Sequence, residues 1–167
     1  MPPESTAHEA TLELLLGYGC GRRGLPAPRS YAHWARSALS AAGVSGRHQL
    51  SLRVVDADEG LALNRDYRGK AYATNVLSFP ADELIDDGQT RLLGDIALCA
   101  PVVAREAAEQ GKSLHQHHAH LCIHGVLHLL GYDHEDAAAA RIMEAIEIEA
   151  LEHLGIPNPY ETNGPGA

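Results

Sequence analysis

Apolar residues recur along the chain at two spacings, one typical of strands and one typical of helices. Leu50, Leu52 and Val54 alternate with polar neighbours, which predicts a strand with one buried face. Three other short apolar stretches also predict strands, and the residues from Asp82 to Gln89 between the last two are interpreted as an acidic loop. The predicted strands cover residues 10–18, 50–54, 75–80 and 92–98.

Helical spacing of apolar residues occurs in five segments that carry start and stop signals. In the first, Ser30 is a suitable N-cap, and apolar residues follow at helical intervals until Gly43. Pro101 suits the first turn of the third helix. The predicted helices run from Ser30 to Gly43, Leu61 to Gly69, Pro101 to Gly111, Ser113 to Gly131 and Glu135 to Leu154.

The last two helices differ in how their apolar residues are distributed. The segment from Leu121 to Leu130 is apolar nearly all round, which predicts that the fourth helix lies in the interior. The fifth helix is expected to turn Ile142, Met143 and Ile146 inward and its acidic residues outward. Residues 158–167 are predicted to form a frayed, flexible tail.

Length and composition indicate one globular domain spanning residues 1–167, with 45% hydrophobic and 21% charged residues. No apolar run approaches the roughly 18–20 residues that cross a membrane, and the start of the chain has no secretory signal pattern. Cys20, Cys99 and Cys122 are too few for a disulfide framework and form no C-x-x-C pair. These features predict a cytoplasmic protein with reduced thiols and no membrane partner.

The charge balance limits how the protein can meet a polyanion. Thirteen basic against 22 acidic side chains give a net charge of −9, so there is no general attraction for nucleic acid. An anionic substrate therefore requires a local basic cleft. The chain also has 11 histidines, many of them in one segment near the predicted fourth helix.

The segment from His124 to His134 has the spacing of a metal site. Residues four apart on a helix share a face, so His124 and His128 can direct two imidazoles at one point. Gly131 can turn the chain back after the helix, which lets His134 supply a third nitrogen from the loop. Three imidazoles with an open fourth position are typical of catalytic zinc sites, whereas structural sites have four protein ligands. The pattern therefore predicts a metal site that holds a water molecule.

Simpler interpretations of these histidines exist. A single histidine on an apolar helix is more often a hydrogen-bonded core residue, and a pair at i, i+4 can arise by chance. The third histidine behind a helix-ending glycine makes metal binding the stronger interpretation. The preceding histidines are interpreted as a solvated or partly buried helix face, with His120 the one candidate to support a ligand from behind. They are His115, His117, His118 and His120.

The same spacing is found in the metzincin peptidases, H-E-x-x-H-x-x-G-x-x-H. In those enzymes the glutamate after the first histidine is the general base, but Gly125 stands at that position here. Peptidase activity is therefore disfavoured, while hydrolysis of a more activated or more anionic substrate stays open.

Four ordered motifs resemble the YbeY endoribonucleases, which are bacterial rRNA maturation factors. They are LNRDYRGK at residues 63–70, TNVLSFP at 74–80, LGDI at 93–96 and HLCIHGVLHLLGYDH at 120–134. The resemblance implies an α+β fold in which a small mixed sheet of about four strands packs with about five helices, the metal-site helix being buried centrally. It implies one Zn²⁺ per chain on His124, His128 and His134. It also implies single-strand-specific RNA cleavage in rRNA maturation and ribosome quality control, with the small ribosomal subunit or its proteins as partner.

The resemblance directs attention to Arg68 as a catalytic residue. A guanidinium beside a zinc site can bind a phosphodiester in fork geometry and stabilise charge developing on its oxygens. The alternative is that Arg68 and Lys70 only place favourable positive charge at a helix C-terminus. Lys70 and Arg65 are candidates for RNA contacts. Asp95 either orients a ligand histidine or lies in a turn between strands, and Asp133 is a further candidate beside the ligands.

The sequence thus favours a zinc-dependent hydrolase of RNA phosphodiester bonds, with no DNA substrate expected. Asp133 or Asp136 is a candidate proton shuttle. Two other hypotheses stay open: a metallopeptidase-like hydrolase with a replacement base, and a non-catalytic ribosome-assembly factor that uses the metal as a structural brace.

Overall fold

Residues 9–161, the part of the chain that the computed structural model describes, form a four-stranded mixed sheet and five helices. The elements are β1 (Ala10–Gly19), α1 (Pro28–Ala41), β2 (Gly46–Val55), α2 (Ala57–Arg68), β3 (Val76–Leu84), β4 (Thr90–Cys99), α3 (Ala100–Gln110), α4 (Leu114–Leu129) and α5 (Ala137–His153). The α+β class with about four strands and five helices is therefore confirmed.

The strands are ordered β1-β2-β4-β3 across the sheet. β1 pairs parallel with β2 and β2 pairs parallel with β4, while β3 runs antiparallel to β4 at the edge. Parallel neighbours need crossover connections, and α1 provides the first, while α2 and β3 lie in the second. The end of α2 and the start of β3 are consequently joined by a short loop at one edge of the sheet.

One face of the sheet carries the hydrophobic core. Leu52 of β2 is paired in register with Ile96 of β4, and both side chains are almost fully buried. Helix α4 packs on this face against β3 and β4 and also contacts α1, α3 and α5. Its side chains are buried on nearly every side, which confirms that the helix with the histidine motif lies centrally.

Helix α4 comes closest to the sheet at Gly125. A Cβ atom at this position would lie 3.1 Å from Cδ1 of Ile96. The hydroxyl of Ser78 on β3 donates a hydrogen bond of 3.2 Å to the Gly125 carbonyl. The position that bears a glutamate in metzincin peptidases therefore faces the sheet, where a side chain would press on Ile96.

Two helices begin earlier than predicted. Helix α1 starts at Pro28, and its N-cap is Ala27 rather than Ser30, because proline suits the first helical turn, where its missing N–H costs nothing. Helix α2 starts at Ala57 rather than Leu61, since Asp56 caps it by accepting a 2.9 Å hydrogen bond from the Glu59 amide.

The acidic segment between β3 and β4 is also shorter than predicted. Strand β3 continues to Leu84, with a register shift between Pro80 and Glu83. Asp82 at this irregularity has a φ of 48°, a left-handed conformation that aspartate tolerates better than most residues. The extra residue of a bulge lets the strand resume pairing beyond the bend.

Helix α5 corrects two predictions about its buried face. Ile142, expected to face inward, is 57% exposed, and Glu147, expected to face outward, is fully buried. Met143 is buried as predicted. The buried residues Met143, Glu147, Ala150 and Leu151 follow helical spacing, so an acidic residue occupies a position of the core-facing stripe.

Between residues 9 and 161, we find no helix of the length and apolar character that a membrane crossing needs.

Candidate metal centre

Three histidines converge where α4 ends. His124 and His128 lie one turn apart on α4, and Gly131, with a φ of 102°, turns the chain so that His134 returns from the following loop. The ring centroids of His124 and His128 are 4.7 Å apart, and those of His128 and His134 are 5.2 Å apart. One candidate ligand atom from each of the three side chains lies within 4.8 Å of the others. The predicted ligands are therefore brought together.

The donor set and its spacing suit a zinc ion. Nitrogen ligands bind Zn²⁺ at 2.0–2.1 Å, so two of them around a tetrahedral ion are about 3.3 Å apart. The candidate ligand atoms, all within 4.8 Å of one another, are close to this spacing. Within residues 9–161, no other histidine, cysteine or carboxylate joins the cluster, so a tetrahedral ion held by these three side chains would keep a fourth position open.

A buried carboxylate supports this cluster from behind. Oε2 of Glu147 on α5 accepts a 2.6 Å hydrogen bond from Nδ1 of His124, and the Glu147 side chain is fully buried. With Nδ1 protonated, Nε2 of His124 keeps a free lone pair, which is the form that binds a metal. Glu147 was missed in the sequence, although its four-residue spacing from Met143 and Leu151 on the buried stripe of α5 was a signal.

The second oxygen of Glu147 is also satisfied. Oε1 accepts a 2.9 Å hydrogen bond from Nε2 of His120, and it accepts a second hydrogen bond from the hydroxyl of Tyr160. His120 therefore acts on the ligands through Glu147 rather than by touching them. Tyr160 belongs to the segment predicted as a frayed tail, and this contact fastens the chain to α5 up to Glu161, while residues 162–167 lie outside the described part.

These contacts set the charges around the cluster. Burial raises the pKa of Glu147, but the hydrogen bonds from His120 and His124 outweigh it and hold that pKa at about 2. Burial, together with the neighbouring imidazoles of His124 and His134, lowers the pKa of His128 to about 4. A buried carboxylate thus stands behind the cluster, and His128 favours the neutral, metal-binding form.

The histidines open into a cavity of about 500 Å³, here called the metal cavity. Arg68 also lines it, because α2 ends at Gly69 in the left-handed conformation and leaves Arg68 as its last residue. Arg68 is exposed, and the described part of the chain holds no ion pair to its guanidinium. Ser78 and Asn75 add polar groups to the wall.

The two other basic candidates lie outside this cavity. Arg65 forms an exposed 3.4 Å ion pair with the adjacent Asp66, and Lys70 follows the helix-ending Gly69 without lining the cavity. Neither residue is therefore brought to the ligands.

The acidic candidates are also placed elsewhere. Asp95 alternates with Ile96 on β4, so it faces away from α4 and lines a cavity of about 700 Å³ on the opposite face of the sheet. It therefore does not orient a ligand histidine. Asp133 is exposed and accepts a 3.3 Å hydrogen bond from the Glu135 amide, and Asp136 caps α5 by accepting from the Ala139 amide at 2.8 Å.

Two of the preceding histidines are more buried than predicted. Nδ1 of His118 lies 3.0 Å from the hydroxyl of Tyr31 in the core, and Nε2 of His117 lies 2.9 Å from Oε1 of Glu106. Both side chains belong to the interior rather than to a solvated helix face.

Comparisons with known proteins give relatives that share one name. The family model described as "Endoribonuclease YbeY" matches residues 26–155. A protein named Endoribonuclease YbeY from Stenotrophomonas maltophilia strain R551-3 is 54% identical over 154 residues, which cover 89% of this chain and 93% of that protein. One of the same name from Xanthomonas axonopodis pv. citri is 54% identical over 152 residues, with the same coverage.

A solved structure has the same fold. The solution structure of TM1509 from Thermotoga maritima aligns with a TM-score of 0.55 and 22% sequence identity, covering 93% of this chain and 99% of that one. At this identity the likeness concerns the fold alone.

Proposed function

The chain belongs to the YbeY endoribonuclease family, and on that premise we propose that it is a zinc-dependent endoribonuclease that cuts single-stranded RNA during rRNA maturation and ribosome quality control. The observation that carries the proposal is the shared cavity of Arg68 and the three histidines. A cation with free donors can stabilise charge that develops on a phosphate, and a three-ligand metal site can activate a water molecule, so together they suit phosphodiester hydrolysis.

The residues divide the work between them. His124, His128 and His134 hold the zinc ion, one per chain, with Glu147 orienting His124. Arg68 binds the scissile phosphate in fork geometry and neutralises charge that develops on its oxygens. When bound, zinc supplies Lewis acidity and lowers the pKa of a water molecule.

Arg68 also provides local positive charge in a chain whose net charge of −9 would otherwise repel RNA. A guanidinium without an acidic partner among the described residues offers a local positive field at the cavity, and Lys70 and Arg65, close to Arg68 in sequence, are candidates for further RNA contacts. Local attraction of this kind suits one strand crossing the cavity better than a long duplex, so cleavage of DNA duplexes is not expected.

Gly125 disfavours the peptidase alternative, because it cannot act as the general base that a metzincin glutamate provides. Its position faces Ile96, so neither it nor a substituted side chain reaches the open side of the ligands as a general base. The three cysteines are free thiols, which supports a place in the cytoplasm, where the small ribosomal subunit or its proteins would present the RNA.

Cleavage of single-stranded rRNA fragments, with metal content measured on the same samples, tests the proposal. We expect wild type to cut and to carry about one zinc per chain. His134→Ala should lose metal and activity but should fold as wild type does, because His134 lies in an exposed loop. Arg68→Glu should lose activity and keep the metal.

Arg36→Glu is the matched control, since Arg36 is an equally basic and exposed residue of α1 that lies outside the metal cavity. It should keep both metal and most activity. If all four proteins cut alike, the cleavage comes from a contaminating nuclease and the proposal is wrong. Zinc-dependent melting with ribosome binding that survives Arg68→Glu, and with no cleavage by wild type, would support the assembly-factor alternative instead.

A further inference from the structure

An exposed aromatic ring stands beside Arg68 at the metal cavity. The side chain of Tyr67 is 68% exposed, and its ring centroid lies 5.1 Å from that of Phe79 at an interplanar angle of 64°. Both rings line the metal cavity together with Arg68 and the histidines. Because Phe79 meets the Tyr67 ring at a steep angle, much of that ring stays open to solvent.

The stability of the fold does not explain why an aromatic side chain is exposed at position 67. An aromatic side chain that leaves most of its surface in water contributes little hydrophobic stabilisation. Among the large apolar side chains that are exposed between residues 9 and 161, Tyr67 is the most exposed. Tyr67 lies in the last turn of α2, directly before Arg68, the proposed phosphate-binding residue.

We propose that Tyr67, backed by Phe79, is a stacking site for one unpaired base of the RNA strand. The inference rests on the proposed function and adds to it the group that recognises the substrate. A base offers its flat face to an aromatic ring only when it is not stacked inside a duplex, so such a site favours single strands. Stacking is tolerant of sequence, because every base has a π-face.

The charges on either side of the aromatic pair indicate on which side the RNA phosphate binds. Tyr67 and Phe79 also border the cavity on the opposite sheet face, where Asp95 is acidic and Arg53 is paired with Glu59 at 2.6 Å. That side offers no free cation within the described residues, whereas Arg68 does on the other. The phosphate therefore belongs on the Arg68 side and the neighbouring base on the Tyr67 ring.

Abasic substitution scanning of a single-stranded RNA tests the site with the zinc-loaded protein. Removing the base at one position next to the cleaved bond should lower kcat/KM of wild type by about 5- to 150-fold, the range given by base–aromatic stacking. Tyr67→Ala should lose a similar factor on the intact RNA and become insensitive to the abasic position. Tyr67→Phe should behave as wild type, since stacking needs no hydroxyl.

Tyr72→Ala is the matched control, because Tyr72 is 59% exposed, near in sequence, and outside the metal cavity. It should cleave every RNA as wild type does. Wild-type kinetics for Tyr67→Ala, or an unchanged abasic profile in that variant, would overturn the stacking site while leaving the nuclease proposal intact.

Binding of the same labelled RNA by fluorescence anisotropy separates the two failures. If wild type binds but does not cut, the nuclease proposal fails, and weaker binding by Tyr67→Ala than by Tyr72→Ala still supports the stacking site. If wild type neither binds nor cuts, both proposals fail.

Discussion

A Cβ atom on Gly125 would lie 3.1 Å from Cδ1 of Ile96, with two further carbons of Ile96 within 3.4 Å. Helix α4, which carries His124 and His128, therefore approaches the sheet closely at Gly125, a residue without a side chain. Contacts this close require the Ile96 side chain or α4 to shift before a larger residue fits.

Gly125→Glu, which recreates the metzincin motif, should destabilise the protein and give no peptidase. Overpacking of a core costs about 1–3 kcal/mol, and burial of an unpaired carboxylate adds to it. Urea denaturation followed by circular dichroism measures the loss. Gly21→Glu is the control, because a Cβ there meets nothing within 4 Å. A folded Gly125→Glu protein that digests casein would contradict this account of the helix–sheet contact.

Glu147→Gln should weaken metal binding. The amide cannot accept from His124, His120 and Tyr160 as a carboxylate does, and changes behind a metal ligand typically cost 10–100-fold in affinity. Competition with a chromogenic chelator gives the zinc dissociation constant directly. Glu149→Gln changes an exposed glutamate on the same helix and should keep wild-type affinity. Equal affinities for the two variants would show that Glu147 is only a core residue.

Tyr160→Phe should weaken metal binding less than Glu147→Gln does. It removes one of three hydrogen bonds to the carboxylate and leaves those from His120 and His124 in place. The same chelator competition checks it, with Tyr72→Phe as the control on an exposed ring outside the cavity. An effect of Tyr160→Phe as large as that of Glu147→Gln would contradict the ranking.

Arg68→Lys should keep the metal but lose most cleavage. Lysine preserves the charge but cannot hold two phosphate oxygens with a planar fork, and removal of one such donor typically costs about 10²–10³ in kcat. Single-turnover cleavage of a single-stranded RNA measures the loss. Full activity in Arg68→Lys would mean that charge alone suffices, and Arg65→Lys controls for a general effect of the exchange.

Stability of the metal-free protein should fall as pH decreases from about 6.5 to 4. Burial, and then the neighbouring His117 and His115, lower the pKa of His118 from 6.5 to about 4. Above pH 6.5 neither the folded nor the unfolded state carries this proton. Below it the unfolded chain gains the proton first, which costs at most about 3 kcal/mol of folding stability once pH 4 is reached.

His118→Asn should make this decline shallower, since asparagine can accept from the Tyr31 hydroxyl but does not titrate. The decline should not vanish, because burial also lowers the pKa of His117 and His128. Urea midpoints at a series of pH values, in the presence of a chelator, measure both slopes. Parallel curves for His118→Asn and wild type would contradict the assignment to His118.

The sequence predicted the parts of the site that depend on local geometry. His124, His128 and His134 are fixed by one helical turn and one glycine turn, and both are visible in a single segment. Asp95 was also accessible to this reasoning, because strand alternation places it opposite Ile96. The resemblance to the family, rather than residue spacing, directed attention to Arg68.

The parts that could not be predicted depend on which surfaces meet in three dimensions. An acidic residue on an amphipathic helix is ordinarily solvated, so the burial of Glu147 and its contact with His124 are visible only once α5 is packed beside α4. The closeness of Gly125 to Ile96 likewise depends on how deeply α4 settles on the sheet. Tyr160 was assigned to a tail because its hydrogen-bond partner lies on a different element.

The metal ligands and the arginine differ in how far apart they lie along the chain. His124 to His134 span one helical end and its loop, whereas Arg68 ends α2, which is separated from α4 along the chain by β3, β4 and α3. The histidines are brought together by one segment, but only the assembled sheet and helices place Arg68 in the same cavity. A chain that has not completed its fold lacks the cavity that the arginine and the histidines share, so RNA cleavage is also a test of completed folding.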